Sequence, residues 1–264
     1  MLVPLKPKKK LSQYFLTSEP IAKTLVSRLD LNPNDEVLEI GAGTGMLTKY
    51  LCQKAKLVYA VEIDPQLTAI LKENTNEFNN LVIINMDILK LNWQCYQGLK
   101  IIGNLPYHLA SKILFLLIAN RNSWQKAVLT LDENVAQKIL RKPNEPQGSI
   151  LAALYNLYTE RKKILKIPPE KFYPSPNVNS VSVLITKRPY PLFSDIDQSL
   201  LGKVLRIIFR HPRKTVANNL NLCLKLPKNL IFSFSSSYLT RRAEELTLAD
   251  FYQLAKHIAS IIQL

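Results

Sequence analysis

The sequence predicts an α/β chain, a mostly parallel, doubly wound sheet followed by a small, all-helical C-terminal part. Three observations carry this expectation. Short apolar runs near 36–41, 57–62, 81–86, 99–103 and 124–130 alternate with helical stretches, the pattern of a parallel sheet with crossover helices. Three of the chain's seven glycines fall within five residues, between the first strand and the helix after it. Beyond the linker Lys187-Arg188-Pro189-Tyr190-Pro191 the strands stop, and 197–210, 212–223, 240–244 and 247–262 read as helices.

Residues 1–35 read as a basic arm and a lead-in helix, Ile21–Leu29, that ends near Asn32-Pro33. Glu36-Val37-Leu38 opens a buried strand that runs into Glu39-Ile40-Gly41-Ala42-Gly43-Thr44-Gly45, and Met46–Leu51 reads as the first turns of a helix. Glycine is favoured where the backbone bends sharply or is closely approached, so this concentration describes a cofactor turn. The second strand, Leu57–Glu62, ends in a carboxylate 21 residues after Gly41, placed to accept both hydroxyls of an adenosyl ribose. The third, Leu81–Met86, ends in Asp87, a second acid suited to the exocyclic amine of adenine. A nicotinamide enzyme has no particular use for Asp87, so the pair favours S-adenosyl-L-methionine (SAM). Taken singly, each acid also reads as a solvated loop carboxylate.

The fourth strand, Leu99–Gly103, runs into Asn104-Leu105-Pro106-Tyr107, and a helix from about Leu109 to Ala119 follows. An amine conjugated to an aromatic ring is a poor nucleophile because its lone pair is delocalised. The Asn104 side-chain oxygen and the Leu105 carbonyl can together accept its two N–H groups, localising the lone pair and aiming it at a sulfonium methyl. Pro106 fixes the backbone so that this carbonyl projects inward. Tyr107 supplies a ring on which a flipped base can stack. A proline-bounded loop closing a strand is the plain alternative.

These motifs, in this order, resemble the ribosomal RNA adenine N6-dimethyltransferases. Gln13-Tyr14-Phe15-Leu16, the glycine turn, Val61-Glu62-Ile63-Asp64, Asp87-Ile88-Leu89 and Gly103–Tyr107 carry the likeness. It continues through Phe172–Ser180, similar to the F-x-P-x-P-x-V-x-S signature of that family, Arg213-Lys214-Thr215 with Asn218, and Arg242-Ala243-Glu244, so it spans essentially the whole chain. The resemblance implies a class I SAM-dependent methyltransferase, a Rossmann-like, mostly parallel seven-stranded sheet completed by strands at 161–167 and 179–187 after a helix near 149–158. It implies a catalytic domain over 1–190 and a helical RNA-binding lobe over 191–264. Asn104, Leu105, Pro106 and Tyr107 become the catalytic set; Tyr14, Leu16, Gly41, Gly43, Glu62, Asp87, Ile88 and Asn104 become the SAM site. Within the family the chain looks closest to the KsgA type, which dimethylates two neighbouring adenosines in a hairpin loop near the 3′ end of small-subunit (16S) rRNA during ribosome biogenesis. Large-subunit rRNA methyltransferases, DNA adenine or protein glutamine methyltransferases, and non-catalytic assembly or transcription factors of the same fold are the other readings. Tyr14 stands where the family usually has Asn, and Asp132-Glu133-Asn134 where it tends to have Gln-Lys-Glu. Pro212 and Ala217 replace basic positions beside Arg213-Lys214.

Composition agrees. At 264 residues, 47% of them hydrophobic, the chain suits a large α/β domain with a small appendage. Lys plus Arg number 35 against 20 acids, a net charge of +15. The excess gathers at Lys6, Lys8, Lys9 and Lys10, at Arg161-Lys162-Lys163, and at Lys203, Arg206, Arg210, Arg213 and Lys214. Clustered positive charge suits a phosphate backbone, and Lys8, Lys9 and Lys10 with the five residues of 203–214 are the RNA-binding candidates. A solvated lysine face or an anionic-membrane binder has similar composition. No run approaches the ~20 apolar residues of a membrane span. Pro4 and Pro7 oppose an amphipathic presequence, and no apolar signal region is visible. Three scattered cysteines (Cys52, Cys95, Cys223) suggest reduced thiols, and the three histidines form no metal motif. The expectation is a cytoplasmic monomer, with rRNA in a pre-ribosomal particle as partner and without metal or membrane.

Overall fold

The computed structural model describes residues 13–233 and 237–262. In chain order the elements are β1 (Phe15–Leu16), α1 (Glu19–Ser27), β2 (Glu36–Ile40), α2 (Thr48–Cys52), β3 (Leu57–Glu62), α3 (Pro65–Asn74), β4 (Leu81–Asn85), β5 (Leu99–Asn104), α4 (Tyr107–Ala119), β6 (Trp124–Asp132), α5 (Glu133–Ile139), α6 (Ile150–Tyr158), β7 (Thr159–Ile167), β8 (Phe172–Tyr173) and β9 (Ser180–Lys187). Four helices follow: α7 (Gln198–Ile208), α8 (Val216–Leu224), α9 (Lys228–Phe232) and α10 (Leu248–Ile262).

Seven strands form one sheet in the order β4-β3-β2-β5-β6-β9-β7. β4, β3, β2, β5 and β6 run parallel, and β9 pairs antiparallel with β6. The order reverses at β2, so the crevice at the carboxyl ends of β2 and β5 is the ligand position of an open α/β sheet. The central strands are apolar on both faces because helices cover them: α1 buries Ala22, Leu25 and Val26 in the same core as Val37, Val58, Ile102 and Val128. Gly103 lets β5 lie close to β2, since a Cβ there would meet the Ile40 carbonyl oxygen at 2.7 Å.

The chain packs as two compact units, 1–136 with 161–187, and 137–160 with 188–264. The sequence pattern draws the boundary near 190 and keeps 137–160 in the first domain; the structure puts this segment in the second unit. The reason lies in a buried polar tie. Asn156 Nδ2 donates to Gln147 Oε1 at 2.6 Å, and both residues are fully buried. The Gln147 and Gly148 amides donate to the carbonyls of Leu246 and Glu244, and the Leu248 amide to that of Pro143. Such groups must be paired to be buried, and their partners lie some 100 residues away, beyond the reach of local pattern.

Helix limits shift by a few residues. The helix expected over 212–223 begins at Val216, because Thr215 is its N-cap and accepts from the Asn218 amide. The helix expected over 240–244 is two short 3-10 turns, 237–240 and 243–245.

Candidate active site

The glycine turn leaves β2 with Gly41, Gly43 and Gly45 at φ of 73°, 58° and 95°, a left-handed backbone that side chains with a Cβ rarely adopt. Space is as short as conformation at Gly43, where a Cβ would sit 3.3 Å from the Phe15 ring. The ring belongs to an N-terminal strap that crosses the turn. Phe15 and Leu16 pair antiparallel with Tyr173 and Phe172, the Thr17 amide donates to the Lys171 carbonyl at 2.9 Å, and Gln13 Nε2 donates to Asp64 Oδ2 at 3.1 Å.

A pocket opens between strap and turn. Tyr14, Leu16, Gly41, Gly43, Glu62, Asp87, Ile88 and Asn104 all line it, together with Leu105 and Pro106. The structure thus brings every expected cofactor residue to one cavity. Glu62, 5% exposed, closes the end of β3. Its Oε2 accepts the Gly43 amide and its Oε1 the Asp64 amide, each at 2.9 Å. A carboxylate has about four acceptor sites, so Glu62 keeps capacity for a ligand hydroxyl. Burial raises the Glu62 pKa, opposed by the backbone amides of Asp64, Gly43 and Ile63. Asp87 Oδ1 caps the turn after β4 by accepting from the Leu89 amide at 3.0 Å.

Asn104 ends β5 as a half-buried side chain. Its Nδ2 donates to the Tyr14 carbonyl at 2.6 Å, which fixes the amide with Oδ1 as the remaining acceptor. The Leu105 amide donates to the Thr130 carbonyl at 3.0 Å, anchoring the next residue to β6. Pro106, at φ −63° and ψ 125°, turns the chain into α4. Tyr107 begins that helix; its hydroxyl lies 2.6 Å from Ser180 Oγ, and its ring centroid 5.1 Å from that of Tyr14. Burial raises the Tyr107 pKa, and the nearby Tyr14 and Asp132 add to this against the Ser180 bond, so the phenol stays neutral.

Glu39 lines the same pocket and belongs to no set expected from the sequence. It is 1% exposed, its Oε2 accepts from Thr48 Oγ1 at 2.6 Å, and burial pushes its pKa up to about 8, against the Thr48 bond and with the Glu62 charge adding. Its place directly before the glycine turn is the one available signal, but a strand-end acid reads the same whether buried or solvated. Ser180 and Thr130 also fall outside the expected sets, although Ser180 closes the 172–180 signature. Of the expected RNA contacts, Lys203, Arg206, Arg210, Arg213 and Lys214 are exposed on the second unit. Lys8, Lys9 and Lys10 lie outside the described residues.

Residues 5–260 match the profile described as "Ribosomal RNA adenine dimethylase". The chain belongs to this family. Among its relatives, "Ribosomal RNA small subunit methyltransferase A" of Mesomycoplasma hyopneumoniae is 36% identical over 253 residues, covering 94% of this chain and 95% of the relative. The protein of the same name from Streptococcus pyogenes is 32% identical over 270 residues, covering 96% and 92%. Two solved structures share the fold: a dimethyladenosine transferase from Plasmodium falciparum (TM-score 0.76, 24% identity, 93% of this chain and 98% of that one) and the 23S rRNA methyltransferase ErmE (TM-score 0.70, 20% identity, 93% and 99%). The dimethylase family is one of class I SAM-dependent methyltransferases, with S-adenosyl-L-methionine as cofactor. The pocket suits that group: Glu62 offers a buried acceptor for a ribose hydroxyl, and Gly41 and Gly43 put no side chain of their own into the cavity. No helix among the described residues is long and apolar enough to cross a membrane.

Proposed function

We propose that this chain transfers methyl groups from SAM to N6 of two adjacent adenosines in a hairpin loop near the 3′ end of small-subunit (16S) rRNA, dimethylating each. It does so as a cytoplasmic monomer acting on a pre-ribosomal particle. The observation that carries the reading is the fixed amide of Asn104: with Nδ2 held by the Tyr14 carbonyl, Oδ1 is left as an acceptor, the partner that the N–H of an amine requires. Two relatives of 32% and 36% identity named for the small subunit support the choice of RNA.

Bound SAM supplies an electrophilic methyl group. Glu62 holds its ribose hydroxyls, Asp87 its adenine amine beside Ile88, and Tyr14 and Leu16 enclose it from the strap through their backbone. Asn104 Oδ1 and the Leu105 carbonyl accept the two N6 protons of the target adenosine, which turns the nitrogen lone pair outward. Tyr107, neutral and hydrogen-bonded to Ser180, is a stacking surface and not a base. The alkylated nitrogen is strongly acidic and loses its proton to water or to Asn104 Oδ1.

The exposed cations of the second unit hold the RNA. Leu201, Val204, Leu205 and Ile208 take the buried face of α7 and leave Lys203 and Arg206 outside, with Arg210 beyond its end. The loop carrying Arg213 and Lys214 is set by Asn219, fully buried, whose Nδ2 donates to the carbonyls of His211, Lys214 and Thr215 and whose Oδ1 accepts the His211 amide. The test is to incubate the purified chain with SAM and either small- or large-subunit particles lacking adenine methylation, then locate methyl groups by mass spectrometry. Two adjacent dimethyladenosines in the small-subunit RNA are expected. Methylation of the large-subunit RNA alone, or no transfer, would overturn the reading.

A further inference from the structure

Tyr14 touches both halves of the catalytic motif. Its carbonyl accepts from Asn104 Nδ2 at 2.6 Å, and its ring lies 5.1 Å from that of Tyr107, tilted by 34°. At that separation the rings are in contact, so no base fits between them and Tyr107 has only its opposite face to offer. The Tyr107 ring is thus held at three points: its backbone at the start of α4, its hydroxyl on Ser180 and one side on Tyr14. An amide side chain at position 14 gives the same backbone acceptor but no ring to back Tyr107.

We propose that the Tyr14 ring is a positioning residue for the second methyl transfer, acting by bracing Tyr107. The inference rests on the adenosine N6 reading above. An unmethylated amine offers two N–H groups to Asn104 Oδ1 and the Leu105 carbonyl, and these two bonds alone orient the base. After one transfer the nitrogen has a single N–H left, so only one of the two bonds remains. The stack on Tyr107 then carries more of the orientation, and any play in that ring falls on the second step. Bracing by Tyr14 removes that play. Both contacts of Tyr14 described above, its carbonyl on Asn104 and its ring on Tyr107, are made with the catalytic motif.

The experiment is a single-turnover time course with wild type, Tyr14→Leu and Tyr14→Phe at saturating SAM, on undermethylated small-subunit particles, with mono- and dimethyladenosine quantified by mass spectrometry. SAM affinity is measured by calorimetry on the same preparations. In Tyr14→Leu the second transfer slows about tenfold more than the first. Monomethyladenosine accumulates, and the SAM Kd changes much less than the rate of the second transfer. Tyr14→Phe, which keeps the ring, restores the wild-type product ratio. An unchanged ratio in Tyr14→Leu overturns the proposal, as does a SAM Kd that weakens in step with the rate, which would make Tyr14 a cofactor residue. A Tyr14→Leu protein that does not fold leaves Tyr14→Asn to decide by the same criteria. Failure of the wild-type chain to methylate adenosine at all would defeat the underlying reading instead.

Discussion

Two buried carboxylates, Glu39 and Glu62, face the pocket from neighbouring strand ends, and their partners give them opposite tasks. Glu62 accepts from the backbone amides of Asp64, Gly43 and Ile63 and remains a strong acceptor although burial weakens its acidity. Glu62→Ala removes the charge-assisted bonding proposed for the ribose, on the order of 1.5–3 kcal/mol per bond. Calorimetric titration with SAM should show affinity reduced at least ~10-fold. Wild-type affinity would remove Glu62 from the cofactor site. Among the described residues Glu39 has only the Thr48 hydroxyl and, with its pKa near 8, is mostly protonated at neutral pH. The folded state keeps this proton up to about pH 8, while the unfolded chain releases it near the ordinary value of 4.5. Between those values the unfolded state binds fewer protons, so stability falls as pH rises. Glu39→Gln, which cannot ionise, should match wild type near pH 4 and exceed it near pH 8, by at most about 4 kcal/mol. Denaturant melts at both pH values check this, and a parallel pH dependence of the two proteins would contradict it.

At the scale of elements, the strap, the glycine turn and the ends of β3 to β5 build the pocket, while α7 and the loop to α8 carry the exposed cations. Charge and chemistry therefore sit on different units and should be separable by mutation. Reversing Arg210, Arg213 and Lys214 to glutamate should weaken binding to ribosomal particles and lower the slope of log affinity against log salt by about 0.7–0.9 for each phosphate that the protein no longer neutralises. SAM affinity should not change. Filter binding over several salt concentrations, with circular dichroism to verify folding, measures the first effect, and calorimetry with SAM the second. A folded mutant with the wild-type slope would count against this surface as the RNA contact. Local pattern makes the pocket elements legible: strand, turn and helix are contiguous between 36 and 52, and the acids close strands of plain apolar character. The strap pairing is not legible in the same way, because two residues of β1 meet two of β8 across more than 150 positions. Nor is the side of Tyr14, whose sequence position announces a cofactor contact while its ring turns to Tyr107.

Across the whole molecule, one unit holds a seven-stranded sheet with the pocket and the other holds helices with a basic surface. The sheet class follows from sequence because each parallel strand carries its own crossover helix. The membership of 137–160 does not, because it depends on Gln147, Gly148 and Pro143 meeting backbone partners far along the chain. In the proposed reaction cofactor and target base meet at the Asn104 amide, which the strap orients at the end of β5. Its role is tested most directly by single-turnover methylation with Asn104→Ala, alongside SAM titration of the same protein. A polarising role at the reacting centre requires a rate reduced ~10²-fold or more with a much smaller change in SAM affinity. An unchanged single-turnover rate would contradict it.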